Sequence, residues 1–423
     1  MQELRALPSK RWQMMVKKQT GSCVFDPFDP QLGNDPYRFY DELRSLESVH
    51  QSPFGMWVVT GYDEVVTLLR HPDTSNQPSP QSVHSRADRA SSPAKRLSER
   101  LFALLDGADH LRLRRVTTKA FKAHFEHADA MIDQSLSKLL SRVLERGTLD
   151  IVTDLARPLP VWVICDYLGL PESDRDYVEQ YVHDLFYIFS PGLEDDVPRR
   201  LNRAILELEA YFREWIDFRK RHPEPGLLSD LIALEEAGEI SPSELVANCL
   251  LLFSNGAETV AHMIGNAMLS LFEHPAQAAR LQQEPELIES AVEEFLRFES
   301  PSMIISKNSG PGIRLSGFDI PPQQPVFAVV GAANRDPKVF QDPHQLRLDR
   351  TPNKHLAFSS GRHSCLGAAL ARAQARLAIP RLLALPGLAP DGDHRWKESI
   401  TLRGLATLPA RFEPLSKESG YAL

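Results

Sequence analysis

Apolar positions recur at three- and four-residue spacing through most of the chain, and this period predicts a mainly α fold with a small β region. Helices are expected over 36–46, 127–147, 155–169, 198–220, 227–237 and 285–298. Trp57 to Thr60 reads as a short β-branched strand ahead of another helix, and residues 302–348 alternate β-like runs with turns such as Pro321-Pro322. Residues 73–98, rich in Ser, Pro, Asn and Arg, carry no period and predict a long loop.

The longest helix opens at Ser241-Pro-Ser-Glu244, where serine caps, proline fills the first turn and glutamate completes a capping box. It runs to Glu273, and at 1.5 Å per residue it spans about 50 Å. Most of it is apolar, as a buried central helix requires, but Ser254 to Thr259 interrupt the apolar run. A glycine inside a helix costs about 1 kcal/mol, and buried polar groups cost more unless hydrogen-bonded. This stretch is therefore expected to form either the wall of a functional cavity, with Gly256 letting the helix open a groove, or a structural hydrogen-bond network.

Composition narrows the class. The chain has 423 residues, 42% hydrophobic and 25% charged, enough apolar material for a sizeable core. A formal net charge of −8 and the lack of a basic tract argue against nucleic acid. No uncharged apolar run reaches membrane-spanning length, Met14 to Val16 reading as part of a loose tail, so a soluble cytoplasmic protein is expected. The 4 cysteines are far apart, which argues against structural zinc or a disulfide framework.

One cysteine stands apart. Phe358 to Gly367 read Phe-Ser-Ser-Gly-Arg-His-Ser-Cys-Leu-Gly, directly ahead of an apolar helical stretch over 366–379. A helix start offers free N–H groups and the positive end of a dipole, both of which favour thiolate at Cys365. Gly361 and Gly367 allow a tight turn and close approach to a flat ligand, Phe358 shields the sulfur, and His363 or Arg362 meets an anionic group.

Four motifs follow one order: His110-Leu-Arg-Leu-Arg114, Asn255-Gly-Ala-Glu-Thr259, Glu294-Phe-Leu-Arg297 and the cysteine frame. Together they resemble the cytochrome P-450 superfamily of the soluble bacterial type, from the Asp26-Pro-Phe segment to Arg403-Gly-Leu-Ala-Thr-Leu-Pro409. The resemblance implies one catalytic domain over 1–423, expected as a monomer, with a long central helix over the haem and a cysteine-ligand loop beneath it. It makes Cys365 the proximal ligand of haem b, and His110, Arg114, His355 and His363 partners of the propionates. Lys307 stands where relatives usually carry arginine.

By the same resemblance Thr259 and Glu258 organise proton delivery, and Glu294, Arg297 and Arg350 form a structural triad. Asn255 departs from the family, where a small residue is usual. The substrate pocket is drawn from the 76–100 loop, Leu185 to Leu193, the centre of the long helix, Ser302 to Ile305 and Ile400 to Leu402. Its named residues are Phe186, Tyr187, Ile188, Phe189, Met303, Ile304, Ile305, Thr401 and Leu402.

The implied activity is a monooxygenase that inserts one oxygen atom of dioxygen into a hydrophobic natural product, by hydroxylation or epoxidation. No flavin or iron–sulfur segment is present, so electrons from NAD(P)H are expected through a separate ferredoxin and ferredoxin reductase. Arg112, Arg115, Lys119, Lys122, Arg362, Arg372 and Arg376 suggest a basic face for that partner. The same scaffold also serves ring formation, aryl coupling, desaturation or peroxide-driven oxidation. A non-catalytic haem sensor would keep Cys365 but would not need Glu258 and Thr259.

Overall fold

A computed structural model describes residues 25–26, 35–53, 55–77, 92–189 and 196–415. The N-terminal tail, most of the Asp26-Pro-Phe segment, the middle of the 73–98 loop and 190–193 of the pocket segment lie outside these residues. The first half contains α1 (Pro36–Leu46), β1 (Val49–Gln51), β2 (Trp57–Val59), α2 (Tyr62–Arg70), α3 (Pro93–Ser98), α4 (Gly107–Ala123), α5 (Ala128–Ser141) and β3 (Thr148–Asp150). Next come α6 (Pro158–Tyr167), α7 (Arg175–Leu185), α8 (Val197–Arg221), α9 (Leu227–Glu236), the central α10 (Pro242–Glu273), α11 (Pro275–Gln283) and α12 (Ile288–Phe298). The last part holds β4 (Ile304–Asn308), β5 (Ile313–Leu315), β6 (Phe318–Ile320), β7 (Pro325–Val329), α13 (Val330–Ala333) and α14 (Ala368–Leu383), then β8 (Ala389–Pro390), β9 (Arg395–Trp396), β10 (Leu405–Thr407) and β11 (Pro409–Arg411).

The helix α10 fits its sequence signals closely. Ser241 accepts from the Glu244 amide at 3.2 Å and the Glu244 carboxylate accepts from the Ser241 amide at 2.7 Å, so two otherwise orphan donors are satisfied. Its apolar sides pack against α6, α7, α14 and α12. The expected interruption at 254–259 does not occur in the backbone: helical structure continues through Gly256, and a Cβ there would make ordinary contact with Ile164 at 3.5 Å. The polar residues leave the helix continuous and bring partly exposed positions to its surface.

The β structure collects in the terminal parts of the chain. A four-stranded sheet in the order β1-β2-β7-β4 joins an early hairpin to late strands, with β2 and β7 parallel. Within 302–348 regular strands stop at Val329, because α13 and a series of turns follow. The helix after the cysteine runs to Leu383, past Pro380, beyond the expected end at Ile379. The helix α3 lies within the stretch expected to be loop.

The loop before the cysteine is held by buried charge. Glu294 and Arg297 are fully buried on α12, one turn apart, and Arg297 Nε and Nη2 donate to the carboxylate at 2.7 and 2.8 Å. Arg350 Nε reaches the same carboxylate at 3.0 Å, while Arg297 Nη1 also donates to the carbonyls of Asn334 and Pro343. The three residues fasten α12 to residues 334–350, the chain that leads into the cysteine frame.

Candidate active site

Between Leu245 and Leu271, every residue of α10 is buried except Asn255, Gly256 and Thr259. These positions lie on one face, a single turn apart. The Thr259 hydroxyl donates to the Asn255 carbonyl at 3.3 Å, a local bond within the helix.

The cysteine loop closes through the Cys365 amide, which donates to the Phe358 carbonyl at 2.9 Å. Gly361 adopts φ +78°, and a Cβ there would lie 3.1 Å from the Leu69 carbonyl oxygen, so this position needs glycine. At Gly367 a Cβ would meet nothing within 4 Å, which leaves open space beside the helix start. The Cys365 side chain is exposed, yet protein crowds it so closely that burial raises its thiol pKa against the Gly367 amide and the charges of Arg114 and Arg372. This reverses the expected lowering: desolvation outweighs the helix start in the polypeptide alone.

Most of the expected anion-binding residues gather beside this loop. His110 is fully buried, with its ring nitrogens 2.8 Å from the Phe102 carbonyl and 3.2 Å from the Arg362 carbonyl. The His110 and His363 rings are 4.0 Å apart, and His363 Nε2 contacts Asp106 at 3.2 Å. Burial pushes His363 down to about 4, so a neutral imidazole donates to ionised Asp106. Arg114 Nη2 donates to the Ser364 carbonyl at 2.6 Å. Lys307 donates to the neutral Asn76 amide oxygen at 2.5 Å, and burial pushes it down to about 8. His355 lies apart from these, 3.1 Å from Glu293, which also accepts from Arg372. The Arg372 guanidinium covers the Phe358 ring at 4.5 Å.

The carboxylate of Glu258 turns elsewhere. Its Oε1 accepts from Lys397 Nζ at 2.5 Å and lies 3.1 Å from His262 Nε2, while Oε2 pairs with His183 Nδ1. Burial opposes its charge, but His262 and His183 hold Glu258 well below the usual carboxylate range. His262 is seated by Gly404, where a Cβ would fall 1.9 Å from its Nδ1. Gly404→Ala should therefore displace His262 and lower the melting temperature; an unchanged melt would contradict this packing.

The cytochrome P450 family profile matches residues 32–413. This chain belongs to the cytochrome P450 family. It is 33% identical over 407 residues to the biotin biosynthesis cytochrome P450 of Bacillus subtilis, covering 95% of this chain and 100% of that protein. The polyketide biosynthesis cytochrome P450 PksS of the same species is 31% identical over 408 residues, covering 91% of this chain and 98% of the relative. Among solved structures, P450BioI in complex with acyl carrier protein bearing hexadec-9Z-enoic acid matches with TM-score 0.85 and 32% identity, covering 90% of this chain and 100% of that one. As a cytochrome P450, the protein is a monooxygenase that binds haem b, and its family typically draws electrons from NAD(P)H through redox partners.

Within this P450, several expected pocket residues are packed in hydrophobic clusters. Met303 and Ile304 are buried in a cluster with Phe25, Tyr37 and Tyr40, the Met303 sulfur 3.9 Å from the Tyr37 hydroxyl. Ile305 packs against a second core cluster with Val326 and Ala328. Phe186 and Ile188 are buried and Phe189 half-buried, the Phe186 and Phe189 rings 5.7 Å apart, while Tyr187 lies beneath the Arg200 guanidinium. Thr401 and Leu402 are half-buried on a strap whose carbonyl at Thr401 accepts from the Met303 amide at 2.8 Å.

The expected basic face is largely neutralised. Arg112 pairs with Glu244, Arg115 with Glu239, Arg372 with Glu293 and Arg376 with Asp129. Arg362 donates to the carbonyls of His71, Pro72 and Thr74 rather than to an anion. Lys119 and Lys122 remain exposed, with no acid at ion-pair distance among the described residues. Sequence reasoning missed Asp106, His183, His262 and Lys397. His262, one turn beyond Glu258, carried a readable spacing signal; the others converge from distant segments.

Proposed function

We propose that Cys365 is the thiolate ligand of haem b and that the enzyme oxidises a hydrophobic small molecule of secondary metabolism by hydroxylation or epoxidation. The observation that carries this reading is an exposed cysteine sulfur flanked by Arg114, His110 and His363, in a chain whose central helix α10 leaves a single turn of its interior unburied. The residues present fit the group. Buried Lys307 has a neutral amide as its hydrogen-bond partner, and His110, His363 and Arg114 gather beside the sulfur loop, as two propionates require. No described helix is long and apolar enough to cross a membrane.

Bound haem supplies oxidising power at iron, which thiolate ligation favours by donating electron density. The polypeptide's tasks are to hold the ligand, exclude bulk water and deliver protons. Lys307, His110, His363 and Arg114 bind the carboxylates, with His355 one segment further along. Thr259 offers a hydroxyl on the open turn, and Glu258 supplies the acid of the relay on the neighbouring face. The Asn255 amide offers two donors and one acceptor to a polar substrate group, beside Phe186, Ile188 and Phe189 on the apolar side. A long acyl chain fits this division, as does a polyketide. The electron donor is a ferredoxin with its reductase, for which Lys119 and Lys122 offer exposed cations with no acid at ion-pair distance among the described residues.

The Thr259→Ala variant should keep haem and ligand binding but release more peroxide per NADPH consumed, read with a surrogate ferredoxin and reductase. Unchanged coupling would remove the proton-delivery role. NADPH consumption without oxidised product across a hydrophobic library would favour a sensor instead.

A further inference from the structure

Glu258 stands at the meeting point of three elements. His183 comes from α7, whose next residues, Phe186 to Phe189, flank the proposed pocket; His262 comes from α10 itself; Lys397 follows β9 on the strap that carries Thr401 and Leu402. Both carboxylate oxygens are engaged. Thr259, the adjacent residue, is bonded to its own helix backbone and not to Glu258.

The histidine tautomer follows from its second partner. Arg157 Nε donates to His183 Nε2 at 3.1 Å, so Nε2 accepts and Nδ1 carries the proton that is donated to Glu258. Arg157 thereby fixes His183 as a donor, and Glu179 is the acid whose charge faces that pair. Lys397 is the most solvent-exposed member of the cage, with its side chain 30% exposed against 17% for His183, 7% for Glu258 and 3% for His262. Removing Lys397 opens the route between solvent and the buried carboxylate; removing His183 takes away the side-chain tie between α7 and Glu258 while the apolar packing of the two helices remains.

We infer that His183 and Lys397 are positioning residues for Glu258, latching the α7 segment and the C-terminal strap to the central helix at the acid of the relay. The inference rests on the proposed role of Glu258 and Thr259 in proton delivery. With both latches in place, protons reach the open turn through one fixed carboxylate; with either lost, the carboxylate is mobile and water enters beside it. Protons are then delivered without control, and reducing equivalents leave as peroxide.

The test uses haem-loaded enzyme, a surrogate ferredoxin and reductase, and the hydrophobic library compound giving the largest spin-state shift. Lys397→Met and His183→Ala are expected to raise peroxide released per NADPH several-fold. Lys397→Arg, which keeps the charge and reach, is expected to restore the wild-type ratio. Independently of turnover, melting temperatures of Lys397→Met, Glu258→Gln and the double variant should be non-additive, as for groups in contact. Additive melting shifts, or a Lys397→Met enzyme that melts lower but keeps the wild-type peroxide ratio, would overturn the inference. Thr259→Ala, run alongside, separates the levels: if it leaves the ratio unchanged, the underlying proton-delivery reading fails; if it alone changes the ratio, only the latch fails.

Discussion

The Cys365→Ala variant is expected to fold but to lose the red-shifted carbon monoxide band of the reduced haem. The fold should survive because the Cys365 side chain is exposed, and the loop is closed by its backbone amide rather than by its sulfur. The triad on α12 and Gly361 at positive φ hold the same backbone without it. Function should not survive, since no other described cysteine can substitute: Cys165 and Cys249 are fully buried among hydrophobic residues, and burial raises both thiols. A far-ultraviolet melt and a carbon monoxide difference spectrum on one preparation separate the two effects. A shifted band retained by the alanine variant would show that another group holds the iron.

Glu294→Ala is expected to cause the largest loss of stability of any single substitution at the surface of α12. It would leave Arg297, fully buried, and Arg350, 6% exposed, without their shared carboxylate. Removing one partner of a buried ion pair costs about 3–5 kcal/mol, because the remaining charge stays desolvated. Here one carboxylate serves two guanidinium groups, the Arg347 amide at 2.9 Å and the Asn353 amide at 3.2 Å. The loss would be felt first in residues 334–353, hence in the cysteine loop, so haem release should precede global unfolding. Denaturant titration followed in parallel by the haem band and by circular dichroism checks this. A variant within about 1 kcal/mol of wild type would contradict the structural role.

Elements with strong local signals were legible in the sequence. The central helix announced both ends, through the capping box at Ser241 and Glu244 and through Pro275, and its bounds differ from expectation by one residue. The cysteine frame was equally plain because glycine at 361 answers a local backbone demand. The polar run in α10 coincides with the one turn of the helix interior that is not fully buried, and it is not a break: the cost of Gly256 is small against the packing of a 32-residue buried helix. Alternation near Met303 and Ile304 marked buried strand positions, and nothing in a strand pattern says whether a buried side chain faces core or ligand.

Long-range convergence was not legible. His183, Glu258 and Lys397 are separated by 75 and 139 positions, so only the folded chain brings their charges together. The pairing of Arg112, Arg115, Arg372 and Arg376 with acids was hidden for the same reason, since a run of cations in sequence carries no record of the carboxylates on facing helices.

The most direct measurement is the carbon monoxide difference spectrum of the purified, reduced protein, expressed with ample iron and haem precursor. Thiolate ligation by Cys365 predicts a strongly red-shifted band that is absent from the alanine variant. A well-folded but colourless protein, or a band at the unshifted position of histidine-ligated haem, would contradict the account.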